Sequence, residues 1–182
     1  MDYKTKGISR RKIRAIAKAI RRLFSCNNKY YFDVIKAFET LPILFPEVTT
    51  KIIGNNDISE IKDVDIPGAC IPDFKGHYSI LIREWVYNAA CNQQGGCRCH
   101  IAHEMSHFFL FRLGYTPNVE RAFANNTLNR YESAEWQAKA LAGETLVPYE
   151  NTINMKIDSI MHRCNVSREC AELRRKLDEP PN

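Results

Sequence analysis

The segment that most constrains this chain runs from Cys99 to Leu110 and contains His103-Glu104-Met105-Ser106-His107. At 3.6 residues per turn, side chains four apart lie one above the other on a helix face, so the two imidazoles can chelate one metal ion. This H-E-x-x-H pattern is half of a zinc site. Glu104 flanks the same face, and its carboxylate can reach a water on the metal without being a ligand, which is the position of a general base. Ile101, Ala102, Met105, Phe108, Phe109 and Leu113 supply a broad apolar surface, and Gly114 followed by Pro117 supplies a stop. The pattern predicts a buried, rigid helix.

A chain of 182 residues can bury one good core and is short for two. One domain is expected over residues 1–148, with a helical tail over 149–182 packed on the same core. Hydrophobic residues make up 45% of the sequence, which argues against disorder. No run approaches a membrane span, and the basic N-terminus lacks the apolar core and cleavage site of a signal peptide, so a cytoplasmic location is expected. Seven cysteines without a compact framework fit reduced thiols. Cys97-Arg98-Cys99-His100 lacks the paired C-x-x-C spacing of a structural zinc site and reads as ordinary thiols entering the helix.

From Ser9 to Phe24, Ile13, Ile16, Ala17, Ile20, Leu23 and Phe24 recur at helical spacing, with Ser9 as N-cap. Arg10, Arg11, Lys12, Arg14, Lys18, Arg21 and Arg22 hold the other faces and concentrate the net charge of +5 near the start. Such a face can meet nucleic acid or an acidic partner, although on a surface helix it is usually solvated. A second helix is expected from Phe32 to Thr40, ending before Pro42. Thr49–Ile53, Gly68–Ile71 and Tyr78–Arg83 read as strands of a small antiparallel sheet, with a hairpin turn at Asp73-Phe74-Lys75-Gly76. Asn92 to Gly96 reads as a loop. After Gly114 a polar connection containing Asn125-Asn126 and Asn129 leads to Ser133, which can cap a helix ending at Pro148. Residues 151–177 read as two helices joined around Asn165-Val166-Ser167, either a helix-turn-helix-like module or a pair covering the core.

A catalytic zinc takes three protein ligands and keeps a position for water, and with two histidines a glutamate is the usual third. Glu132, Glu135 and Glu144 are the local candidates. Glu135, 28 residues after His107, shares a face with Ala138 and Ala142, whose small size lets two helices approach closely. It is the preferred ligand.

Ile101 to Leu110 is similar to the A-H-E-L-G-H helix of the ImmA/IrrE metallopeptidases, and Glu135 to Pro148 resembles that family's E-x-E/Q-A-N-x-F-A-x-E-L-L-M-P segment. The Ile8–Phe24 helix, the Tyr78–Arg83 strand and Val166 to Arg174, similar to the V-S-x-x-A-x-x-R tail, extend the resemblance over nearly the whole chain. It implies an α+β, zincin-like minimal metallopeptidase of gluzincin type, its small antiparallel sheet packed on the H-E-x-x-H helix. It also implies zinc on His103, His107 and Glu135, with Glu104 as base. Manganese or iron can fill the same ligands. Three positions depart from the pattern: Ser106 replaces Gly, Leu141 stands where Phe is common, and Lys139 occupies a position where Asn or Asp often supports the metal.

The chemistry implied is hydrolysis of a peptide bond. In zincin folds an edge strand beside the metal helix accepts an extended substrate through main-chain hydrogen bonds. Tyr78–Arg83 is the candidate strand, with Tyr78, Ile80 and Ile82 as substrate contacts. Tyr131, His100 and Arg130 are candidates for stabilising the oxyanion. The resemblance further implies a helix-turn-helix repressor as substrate, encoded beside the peptidase in a phage, mobile element or stress locus. Two alternatives are a non-hydrolytic regulator that binds DNA or a repressor, with a structural or lost metal site, and a broad-specificity peptidase.

Overall fold

The computed structural model describes residues 2–73, 75–117 and 129–176. Helix α1 (Arg10–Leu23) begins where expected, with the Ser9 hydroxyl accepting from the Lys12 N–H at 3.2 Å. Its Ile13, Ile16, Ala17 and Ile20 are buried, each isoleucine contributing roughly 1.5–3 kcal/mol of apolar burial. Arg21, expected on the outer basic face, is also buried. Its guanidinium donates to the carbonyls of Thr145, Cys26 and Lys29, because the chain folds back after α1 and leaves those oxygens facing inward. Arg14 and Lys18 of the basic face pair with Glu144 at 3.1 Å and Glu150 at 2.9 Å.

Helix α2 (Val34–Leu44) is capped by Asp33 and runs through Pro42 rather than stopping before it. Proline sits in the last turn, where one lost N–H is tolerated, and the Leu41 carbonyl still accepts from Phe45 N–H at 2.9 Å.

The expected antiparallel sheet is mixed. Strands β1 (Val48–Ile53), β2 (Gly68–Pro72) and β3 (Tyr78–Arg83) lie in the order β1-β3-β2. β3 runs parallel to β1, from Val48 opposite Tyr78 to Ile53 opposite Arg83. It runs antiparallel to β2, from Gly68 opposite Ile82 to Pro72 opposite Tyr78. After β1 the chain crosses to the far side of the sheet before β2, and the hairpin returns β3 to the middle. The Asp73 carboxylate accepts from Lys75 N–H at 2.8 Å and His77 N–H at 2.7 Å in that turn, and Gly76 takes φ +83°. Phe74 lies outside the described residues. The crossing segment is held from below by Arg83, wholly buried, which donates to the carbonyls of Gly54 at 2.9 Å, Ile61 at 3.0 Å and Asp63 at 3.0 Å, and to those of Asp57 and Ile66. The alternation in β3 gave no hint of this role.

β3 passes straight into α3 (Glu84–Cys91), a helix the periodicity did not reveal. Helix α4 (Gly95–Arg112) carries the H-E-x-x-H segment and starts earlier than expected, taking in both glycines of the anticipated loop. A Cβ on Gly95 would lie 2.5 Å from backbone atoms of Val166 and Ser167, so this glycine permits a backbone-to-backbone approach. Gly114, at φ +82°, follows the helix as expected. Asn125-Asn126 of the polar connection lie outside the described residues.

A single 3-10 turn (Arg130–Glu132) precedes α5 (Ala134–Leu146), which is followed by α6 (Tyr149–Thr152), α7 (Ile157–Cys164) and α8 (Arg168–Lys176). Asn165 adopts a left-handed conformation between α7 and α8, and Ser167 caps α8 through Cys170 N–H at 3.2 Å. Leu177 lies outside the described residues. Ile160, Cys164, Val166 and Ala171 belong to the same buried cluster as Ile101, Phe108, Ala138 and Leu141. Helix α4 is central to that cluster and packs on α5, α3, α2, α8, β2 and β3. Among the described residues no helix is long and apolar enough to cross a membrane.

Candidate active site

His103 and His107 project from one face of α4, their rings 4.6 Å apart at 82°. The face is rigid because the rest of the helix is buried, and the Ser106 hydroxyl, where glycine is common, donates to the Ala102 carbonyl at 2.7 Å. Phe111 packs 5.5 Å from the His107 ring.

Glu135 meets the histidines from α5. Its two oxygens lie 3.2 Å from His103 Nε2 and 3.4 Å from His107 Nε2, and the two Nε2 atoms are 3.2 Å apart. The position of Glu135 is set by the way α5 begins. The Ser133 hydroxyl accepts from Trp136 N–H at 2.9 Å, the Tyr3 carbonyl from Ala134 N–H at 2.9 Å, and the Asp2 carboxylate from Glu135 N–H at 3.2 Å. Asp2 also accepts from the Ser133 hydroxyl at 2.6 Å. The first-turn N–H groups, which have no partner within a helix, are thus satisfied by Ser133 and the N-terminal segment. Gln137, fully buried, donates from its amide to the carbonyls of Lys6 and Tyr131, both at 2.8 Å, and pins the same segment.

These donors fit a divalent metal. Two imidazole nitrogens and a carboxylate, all within 4.8 Å of one another, match the three-ligand set of a catalytic zinc. The two histidines also hold the Glu135 carboxyl well below the usual carboxylate range by hydrogen bonding. Each Nδ1 is buried without a hydrogen-bond partner among the described residues. Lys139 lines the cleft with an exposed side chain and forms no bond to either ring.

Glu104 lies on the adjacent face, one oxygen 4.0 Å from His103 Nε2. Burial pushes its carboxyl up, while the charges of His103 and His107 and the N–H of Cys70 oppose the rise. The strand that encloses it is β2. A Cβ at Gly68 would lie 3.2 Å from Glu104 Cγ and 2.7 Å from the Leu81 carbonyl oxygen, so only glycine lets β2 pass this close to Glu104.

The substrate strand expected from the sequence is therefore displaced. β3 has neighbours on both edges and no free main-chain groups for another strand, and Ile80 and Ile82 are wholly buried in the core. Tyr78 packs its ring on Phe108 at 5.2 Å and on Phe111 at 6.5 Å, supporting α4 from behind. β2 is the edge strand beside the metal residues, and residues 66–72 line a cleft of about 1020 Å³ together with His100, His103, Glu104, His107, Glu135 and Lys139. Pro67-Gly68 was the available signal, since a glycine inside a strand marks close approach. Of the oxyanion candidates, His100 faces the cleft. Tyr131 packs against Trp136 at 5.1 Å and Arg130 bonds the Tyr131 hydroxyl at 3.0 Å, and neither lines it. Tyr3, not anticipated, does.

No curated protein and no solved structure matches the chain. The family profile of the IrrE N-terminal-like domain, peptidase M78, matches residues 75–176, a span that includes β3, α4 and α5 with all four residues of the site. Covering more than half of the chain and agreeing with the resemblance of the two motifs, this match shows that the chain belongs to the IrrE N-terminal-like family of M78 metallopeptidases.

Proposed function

We propose that the chain is a metal-dependent endopeptidase that cuts a helix-turn-helix transcriptional repressor and acts in the cytoplasm where such a substrate works. The observation that carries the hydrolytic reading is the convergence of His103, His107 and Glu135 beside a buried Glu104 in an open cleft. Zinc is the metal the donor set suits best, with manganese or iron as substitutes, and it would supply Lewis acidity, acidifying water and polarising a carbonyl.

The chain's own groups account for the rest. His103, His107 and Glu135, on two packed helices, would hold the metal without reorganising. Glu104, with a carboxyl raised by burial, accepts the proton of the attacking water and delivers it to the leaving amine. The outer edge of β2 offers the main-chain groups of Gly68 and the carbonyl of Cys70 to an extended peptide. Pro72, without an N–H, ends that ladder. Substrates must therefore be unfolded locally, as a linker or a loosened helix end of a repressor would be.

The test pairs purified, metal-loaded chain with a candidate repressor. Glu104→Gln is expected to keep its metal and lose about 10²–10⁴-fold in cleavage rate. If metal-loaded Glu104→Gln still relieved repression, the non-hydrolytic binding reading would replace this one. Equal turnover of casein and the repressor would replace the specific peptidase by a general one.

A further inference from the structure

Seven cysteines are free, and two of them line the cleft from two helices that pack on each other. Cys99 lies on α4 one turn before His103, and Cys170 lies in the first turn of α8; both are half-buried and both line the cleft. Their thiols lie close enough to shift each other's ionisation, and Ser167 acts on Cys99 through its backbone and its hydroxyl. The proximity is enforced by the fold. The tight backbone approach of Gly95 to Val166 and Ser167 fixes the start of α8 against the start of α4, and Ser167 Oγ accepts from Cys170 N–H at 3.2 Å.

We propose that Cys99 and Cys170 are a peroxide-oxidisable pair that closes to an intramolecular disulfide across the cleft wall. The other cysteines lack this arrangement: Cys26, Cys97 and Cys164 are buried, Cys91 is exposed, and Cys70 sits on β2 against Glu104. The two thiols are also electronically unequal. The Cys170 thiol and the neighbouring Arg98 charge hold Cys99 below the ordinary thiol range, against the effect of burial, while Cys170 is pushed well above it. Cys99 is therefore the attacking sulfur and Cys170 the resolving one.

The chemistry balances with hydrogen peroxide as oxidant. The Cys99 thiolate attacks one peroxide oxygen, the O–O bond breaks, and hydroxide leaves and takes up a proton to become water. The resulting sulfenic acid is attacked by Cys170 sulfur; the S–S bond forms, the S–O bond breaks, and a second water leaves with the thiol proton. Two thiols lose two electrons in total and peroxide gains them. The product ties α4, which carries both histidines, to α8, whose Glu169 and Leu173 line the cleft with its cap Ser167.

The experiment treats the metal-loaded full chain with a small excess of hydrogen peroxide, alkylates the remaining thiols and maps the peptides by mass spectrometry. The expected result is a Cys99–Cys170 linked peptide lighter by two hydrogens, loss of two of the seven titratable thiols, and full recovery with a thiol reductant. Cys99→Ser and Cys170→Ser should each abolish the link, and Cys91→Ser should leave it unchanged. Metal content should be the same in all of these variants, which separates a redox pair from metal ligands. Sulfinic acid at Cys99 without a link, links only between chains, or no thiol loss would each overturn the proposal. The readout is covalent and does not depend on whether the chain hydrolyses peptides.

Discussion

Three glutamates within thirteen residues of one another have three different fates, and only their surroundings separate them. Glu132 pairs with Lys4 at 3.2 Å near the surface, Glu135 joins the histidines, and Glu144 is buried between Arg14 at 3.1 Å and Arg174 at 3.2 Å. Glu135→Ala is expected to lower metal content from near one per chain to a small fraction of it by elemental analysis, and Glu132→Ala to leave it unchanged. Glu144→Ala should retain the ligands but destabilise the fold by about 3–5 kcal/mol in urea titrations, because two partly or wholly buried guanidinium groups lose their carboxylate. The choice of Glu135 was legible from its spacing and its small neighbours. The burial of Glu144 was not, since its partners come from α1 and α8, far away in sequence.

At the scale of elements, the site is where the start of α5, the face of α4 and the edge of β2 meet. Ser133→Ala removes a cap worth about 1 kcal/mol and loosens the turn that carries Glu135, so chemical stability and metal affinity should fall together. Gly68→Ala places a methyl group 2.7 Å from the Leu81 carbonyl, and the strand must shift away from Glu104. A destabilisation of about 1–3 kcal/mol is expected from such overpacking, with metal content maintained, measured by denaturant midpoint and elemental analysis on the same sample. α1, α4, α5 and the α7–α8 pair were legible because helical periodicity and caps are local signals. The order of the strands was not. Side-chain alternation marks Tyr78–Arg83 as a strand whether it lies at the edge or in the middle, and only the long crossing after β1 puts it in the middle. α3 was missed for a related reason, as it follows β3 with no intervening turn residue and has only Val86 and Ala90 buried.

For the whole molecule, His103, His107 and Glu135 bridge the two central helices, so metal binding there should be felt as global stability. At free zinc about 100 times its dissociation constant, linkage predicts about 2.7 kcal/mol of added stability. The unfolding midpoint should rise with zinc and fall on chelation, and His103→Ala should show neither shift. The buried arginines have a similarly global role. Arg21, Arg83 and Arg98 each bond carbonyls of segments distant in sequence, Arg98 reaching Phe32 and Asn165. A truncation such as Arg83→Ala is expected to lose about 3 kcal/mol or more, since several inward-facing carbonyls lose their donor at once. Limited proteolysis should then cut first within residues 54–66.

By itself the sequence determined the chemistry of the donor set, the helix that carries it, the caps at Ser9 and Ser133 and the family to which the chain belongs. These depend on residue type and on spacing within a few turns, which the covalent chain already dictates. The tertiary structure decided which strand flanks Glu104, which basic residues are buried and which of the seven thiols line the cleft. Each of these is a contact between segments far apart in the chain, set by how β3 inserts between its neighbours and how closely Gly68 and Gly95 let backbones approach. No local pattern encodes such a distance, because it exists only once the core has packed.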